Sequence, residues 1–269
     1  MARWWQDGRY YQIAALGTLL ALNLAWVDFG AGPWGALLAI SGALSAQALC
    51  TYLWRLPVFD PRSALITGLS LSLLLRTDEI ALYAAAGALA ILSKFVLRLD
   101  GKHLWNPATF AIVALRYGTG EVWVSPGQWG AALWFVALLA ILAAVVLQRS
   151  RRVDTAFFFL AAHAALLAWR AIWLGDPWTI PLHQLESGSL LLFAFFMVTD
   201  PRTTVRPRWA QMVVVFIVAL VEMALRLAEV VYAPIYALFL VGPAALFIES
   251  LLEEKPQRSS SASTSPAVA

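Results

Sequence analysis

The sequence predicts an all-α polytopic membrane protein: ten transmembrane helices forming two inverted five-helix repeats, with short helices in the third and eighth places. Three observations carry this expectation. The first is composition: 61% of the 269 residues are apolar, 13% are charged and the mean hydropathy is +0.73. Soluble domains carry about a quarter charged residues and under half apolar ones, so that class is excluded. The second is charge placement. Of the 19 Lys and Arg, only Arg76, Arg116, Arg170 and Arg226 fall on one side of a ten-span segmentation, and the other fifteen fall on the opposite side. That asymmetry satisfies the positive-inside rule with both termini cytoplasmic, and an odd number of spans would scramble it. The third is the pair of short apolar runs at equivalent places in the two halves, which is the sequence mark of an inverted-repeat fold with a central site.

Taken in order, the spans lie near 9–27, 34–54, 62–75, 79–98, 106–116, 129–148, 154–173, 187–199, 208–228 and 232–252, making one membrane domain over 1–252 with halves at 9–116 and 129–252. The first run, from Gly8, lacks a cleavage-like small-residue pattern and reads as a mature helix, not a signal peptide. Span three, "SALITGLSLSLLL", gives a helix about 20 Å long, short of the roughly 30 Å hydrocarbon layer. "DPRS" offers Asp60 as its N-cap and Pro61 as its first residue. Span five starts the same way at Asn106 and Pro107. Span eight, "GSLLLFAFFMV", is shorter still, with Ser187 or Ser189 as cap. "GPAAL" at 242–246 is expected to interrupt span ten. The stretch 253–269, ending in the polar "RSSSASTSPAVA", is expected to be a disordered cytoplasmic tail.

The pI near 9.2 fits loops facing anionic lipid, so nucleic acid is not an expected partner. One cysteine, Cys50, can form neither an internal disulfide nor an iron–sulfur site. His163, His183 and His103 are too scattered for haem, and no His/Cys cluster has zinc spacing. The 13 Trp gather near span ends as an interfacial belt that includes Trp4, Trp5, Trp34, Trp129 and Trp209.

Polar residues within or beside spans are the candidate site. Lys102 and His103 read either as a solvated loop or as contacts to an anionic cofactor group or a partner subunit, helped by the positive end of span five. Asn106 is a helix start that can also face a cofactor. Asp200 either pairs with Arg202 or Arg206 or meets a ligand, with Thr199 beside it. Ser63, Thr67, Ser70 and Ser189 sit on the two short helices, where their polar groups are expected to meet near the midplane, and Gly68 permits close approach of a helix or a ring. Asp60–Pro61–Arg62, Asp200–Pro201–Arg202 and "GKHLWNP" all fall on the cytoplasmic side and are expected to surround one vestibule. His163 is an intramembrane ionisable residue with a functional reading by default, whereas Glu222 and Arg226, at i,i+4, read as a neutralising pair.

"GKHLWNPATF", "SALITGLSLSLLL" and "SGSLLLFAFFMVTDPRTT" together resemble the RnfD/NqrB family, whose members are membrane components of the Rnf electron-transport complex and of the sodium-pumping NADH:quinone reductase. The resemblance covers roughly residues 10–250. It implies a multi-pass protein of the prokaryotic cytoplasmic (inner) membrane, electron transfer through flavin or quinone, coupling to ion movement, and partner redox subunits in the membrane and cytoplasm. It puts cofactor contacts at Lys102, His103, Asn106, Thr109, Ser63, Thr67, Gly68, Ser189, Thr199 and Asp200. The family's Ser–Gly–Ala–Thr-type attachment site for FMN is missing after span five, which reads "RYGTGEVWVSPGQWG". The nearest match, "SGAL" at 41–44, ends in Leu, so the implied flavin is non-covalent FMN or riboflavin. A small-solute or ion transporter on the same fold, and a cofactor-free structural subunit, are the alternative readings. The resemblance makes the chain either an electron-transferring subunit of an oxidoreductase or a non-catalytic one.

Overall fold

The computed structural model describes residues 7–27, 32–125, 133–150 and 152–260. Arg3, Trp4, Trp5, Trp129, Arg151, residues 126–130 of the loop after span five and residues 261–269 of the tail lie outside them. Eleven helices and four short strands are found among the described residues. The helices are α1 (Gly8–Leu22, continued by a π turn over Asn23–Val27), α2 (Pro33–Leu53), α3 (Arg62–Leu74), α4 (Ile80–Val96), α5 (Pro107–Thr119), α6 (Leu133–Ser150), α7 (Val153–Leu174), α8 (Thr179–Leu185), α9 (Gly188–Leu192, continued by a π turn over Phe193–Met197), α10 (Arg208–Leu227) and α11 (Ala233–Ser260). By length and composition α2, α7, α10 and the 233–252 part of α11 can each cross a membrane. Helices α8 and α9, bent by 47° at the break between them, make a fifth span if counted as one. The chain is a largely helical membrane protein. Helix α8 was not expected from the sequence; it precedes the predicted eighth span.

Small residues let the first helices approach closely. One face of α2 buries Ala36, Ala39, Ala43 and Ala46. Across it, a Cβ on Gly87 of α4 would overlap the Ala39 carbonyl, and one on Gly42 of α2 would overlap that of Ala84. Gly68 of α3 has the Cα of Ile40 2.8 Å from where its Cβ would stand, so its role is helix contact. Such backbone approach is how helices gain packing energy where lipid is as apolar as leucine.

Helix α3 stops short for an identifiable reason. Arg76 is buried and donates to the carbonyls of Ser72 (3.1 Å), Leu73 (3.1 Å) and Leu75 (2.7 Å), satisfying acceptors that a helix end leaves open. The chain then runs as β1 (Leu75–Thr77), antiparallel to β4 (Val122–Val124) in the loop after α5. A separate hairpin pairs β2 (Arg98–Leu99) with β3 (Lys102–His103). Its two turn residues, Asp100 (φ 47°) and Gly101 (φ 77°), are both left-handed, as a two-residue hairpin turn requires.

Two expectations about helix ends need correction. Helix α3 begins at Arg62, with the Asp60 carboxylate accepting from the Arg62 N–H at 3.1 Å, one residue later than the Asp-Pro pattern suggests. Pro243 does not interrupt the last span: α11 runs unbroken through it to Ser260, past the apolar stretch into residues 253–260. A proline inside a helix cannot donate to the carbonyl four residues back, here that of Phe239. The Trp105 indole supplies the missing bond, donating to the Phe239 carbonyl at 2.9 Å, and its ring stacks on Phe239 at 5.3 Å. One consequence is measurable in a double-mutant cycle. Trp105→Phe removes the donor and lowers stability by about 1–2 kcal/mol. In a Pro243→Ala background, where the helix recovers its own N–H, the same change costs distinctly less. Thermal unfolding of the four proteins in detergent tests it, and equal costs in both backgrounds would refute the compensation.

Candidate functional site

A cavity of about 490 Å³ opens at the end of the bundle where α3 begins and α9 ends. It is lined by Ser63, Ile66, Thr67 and Ser70 of α3, Lys94 and Phe95 of α4, Gln47 of α2, His103 of β3, Asn106, and Phe195–Arg202 save Val198. A second cavity, of about 360 Å³, lies at the other ends of the same short helices, between Leu74, Val124, Gln184, Ser189, Phe193, Arg226 and the start of α11.

The first cavity is assembled from both halves of the chain. The β2–β3 hairpin delivers His103, whose backbone N–H donates to the Arg202 carbonyl at 3.1 Å. Asn106 is the cap of α5. Its Oδ1 accepts from the Ala108 and Thr109 N–H groups at 3.1 and 3.2 Å, while its Nδ2 donates to Asp200 Oδ2 at 3.3 Å. One side chain thus starts a helix and touches the cavity's carboxylate. Thr199 donates to the Phe195 carbonyl at 2.6 Å, and Thr67 to that of Ser63 at 2.9 Å. Both follow the i−4 back-bonding common for hydroxyls inside helices.

The two Asp-Pro-Arg elements have different electrostatics. Asp60 and Asp7 alternate with Arg9 and Arg62 in a ring of four ion pairs between 2.6 and 2.8 Å, tying the start of α1 to that of α3. Hydrogen bonding from the Arg62 guanidinium holds the Asp60 carboxyl well below the usual carboxylate range. Asp200 has no ion pair among the described residues. It accepts from the Arg202 N–H at 2.9 Å, not from a guanidinium, and its enclosure pushes its carboxyl above the usual range.

Of the ten residues expected at a site, Ser63, Thr67, His103, Asn106, Thr199 and Asp200 line this cavity. The other four do not. Lys102 turns away to Glu249 of α11 at 2.7 Å and to the Thr204 carbonyl at 3.1 Å. Thr109 is fully buried beneath the Asn106 cap. Gly68 packs on α2. Ser189 lies in the second cavity, hydrogen-bonded to Ser187 at 2.8 Å. The short helices run in opposite directions, so their N-terminal serines fall at opposite ends and do not meet at mid-depth.

Sequence reasoning missed the most informative side chain, Lys94. It is 6% exposed, and its Nζ donates to Ser63 Oγ at 3.0 Å. No carboxylate pairs with it among the described residues. A lysine within "ALAILSKFVL" is itself the signal, since an ionisable group in an apolar run needs a reason. Two more buried polar atoms around the same cavity lack hydrogen-bond partners, His103 Nδ1 and Gln47 Oε1. A lone cation and two orphaned polar atoms are costly in a ligand-free fold and suit a polar, electron-rich guest. A scan against protein-family models found no match, and no curated protein matches the chain.

Burial, together with the cations Lys94, Arg98 and Arg202, lowers the His103 pKa from 6.5 to about 4. The unfolded chain therefore binds the proton first as pH falls, and His103 draws stability down between about 6.5 and 4. His103→Gln should flatten that limb of the pH–stability curve while leaving neutral pH little changed. An unaltered slope in the variant would rule the coupling out.

Proposed function

We propose that the chain is a membrane component of an electron-transport complex, of the RnfD/NqrB type, holding a flavin without a covalent bond in the first cavity. Its ten spans form two inverted five-helix halves with both termini cytoplasmic, so that the cavity faces the cytoplasm. Lys94 is the observation that carries this reading: a buried cation without a counter-ion among the described residues, beside hydrogen-bonding and aromatic walls, in a space within the roughly 300–1,000 Å³ of ligand pockets. A bound flavin supplies the redox chemistry. Lys94 and Ser63 meet its electron-rich edge, Asn106 and His103 offer further hydrogen bonds, and Phe95, Phe195 and Phe196 supply apolar surface. The protein purified in mild detergent should show the visible flavin band. Lys94→Met should weaken flavin binding at least about tenfold, roughly 1.4 kcal/mol. A colourless, helical preparation that takes up neither FMN nor riboflavin on titration ends the proposal.

A transporter of a small solute or ion is the second reading, favoured by one observation: cavities occupy both ends of the same pair of short helices. Proteoliposomes that accumulate solute without an electron donor would establish it, and a flavin-loaded protein that moves solute only when reduced would support the first.

A further inference from the structure

The cations at the first cavity's end of the bundle are of two kinds. Arg9 and Arg62 pair with Asp7 and Asp60, and Lys102 pairs with Glu249. Lys94, Arg98 and Arg202 line the cavity, and none of them has an ion pair among the described residues. Arg98 gives one N–H to the Gly101 carbonyl at 3.2 Å. The Arg202 guanidinium makes no hydrogen bond among the described residues.

These three cations stand at two depths. Lys94 lies in the last turn of α4 and is buried. Arg98, four positions on, opens β2 and is exposed, as is Arg202. The main chain brings the two arginines to one rim. The β2–β3 register sets Arg98 opposite His103, and the His103 N–H donates to the Arg202 carbonyl at 3.1 Å. Lys94, Arg98 and Arg202 are all near enough for their charges to act on His103.

The charges do not balance. The ring of Asp7, Arg9, Asp60 and Arg62 is neutral by itself. Asp200 is then the one acid left on the wall, facing three cations. It is already engaged by the Arg202 and Asn106 N–H groups, and Arg152, the residue before α7, acts on it as well. Two positive charges are left over. Like charges gathered round one space repel each other, and only an anion from outside the chain can offset them. A phosphate monoester, at about −1.5 to −2 near pH 7, has the matching charge. Arginine forks also suit phosphate oxygens, which they grip two at a time. A free phosphate answers the rim but leaves Lys94 unmet. A guest with an electron-rich inner end and a phosphate at its outer end answers both.

We propose that the first cavity takes a phosphorylated guest, with Arg98 and Arg202 holding a phosphate monoester at the rim while Lys94 and Ser63 meet the inner end. On the flavin reading, on which this rests, the guest is FMN and not riboflavin, which has no phosphate. The test is a pair of titrations. Protein freed of bound flavin, in phosphatidylcholine nanodiscs, is titrated with FMN and with riboflavin, following the quenching of flavin fluorescence. FMN should bind at least about tenfold more tightly at low ionic strength. That ratio should shrink at about 1 M salt, where charges are screened beyond roughly 3 Å. In Arg98→Gln combined with Arg202→Gln it should fall to near one. If that protein loses its helical circular dichroism, each single variant decides in its place, with a ratio lowered at least about threefold. The preference should persist when phosphatidic acid is added to the discs. Its loss there gives the arginines to a lipid headgroup and overturns the proposal. Equal affinities for the two flavins, or a ratio that survives removal of the arginines, overturn the phosphate site and leave the flavin reading standing. Uptake of neither flavin ends both.

Discussion

The structure depends on one constraint: a helix that ends inside an apolar layer must still satisfy its open backbone groups. Helices α3 and α9 both end early, and each end has gathered polar partners. Arg76 closes the far end of α3, aided by the β1–β4 pairing. The near end is set against the Asp7–Arg9–Asp60–Arg62 ring. The α9 segment instead runs out through a π turn into Thr199 and Asp200. Shortened helices leave space beyond their ends, and the two cavities lie there.

Charge distinguishes those spaces. At the first, the ring of ion pairs disposes of Asp60, so Lys94, Arg98 and Arg202 outweigh Asp200, the remaining acid on the wall. At the second, Arg226 is already neutralised by Glu222. One cavity therefore offers uncompensated positive charge to a guest. The other leads to a group that is compensated in advance.

Much of this architecture was legible in the sequence because it rests on local rules. Apolar run length located α2, α7, α10 and the first part of α11, the helices long and apolar enough to cross a membrane among the described residues, and the Asn106–Pro107 pattern located a real cap. Other features were present but unread: "DG" at 100–101 is a hairpin signal, and Lys94 is a charge inside a greasy run. Features that depend on lateral contact were out of reach. Nothing local says that His163 meets Glu222, 59 positions away, or that oppositely directed short helices carry Ser63 and Ser189 to separate ends. Pro243 shows a local rule defeated, since a breaker is harmless once a distant indole replaces the bond it removes.

That replacement also sets where the last helix can stand. Trp105 and Lys102, three positions apart in one loop, grip α11 at Phe239 and Glu249, ten positions apart and so about 15 Å along its axis. A rod clamped at two such points can neither slide nor roll without releasing both. Proline, ordinarily the place where a rod bends, here acts as a notch that keys the closing helix to the loop beside the first cavity.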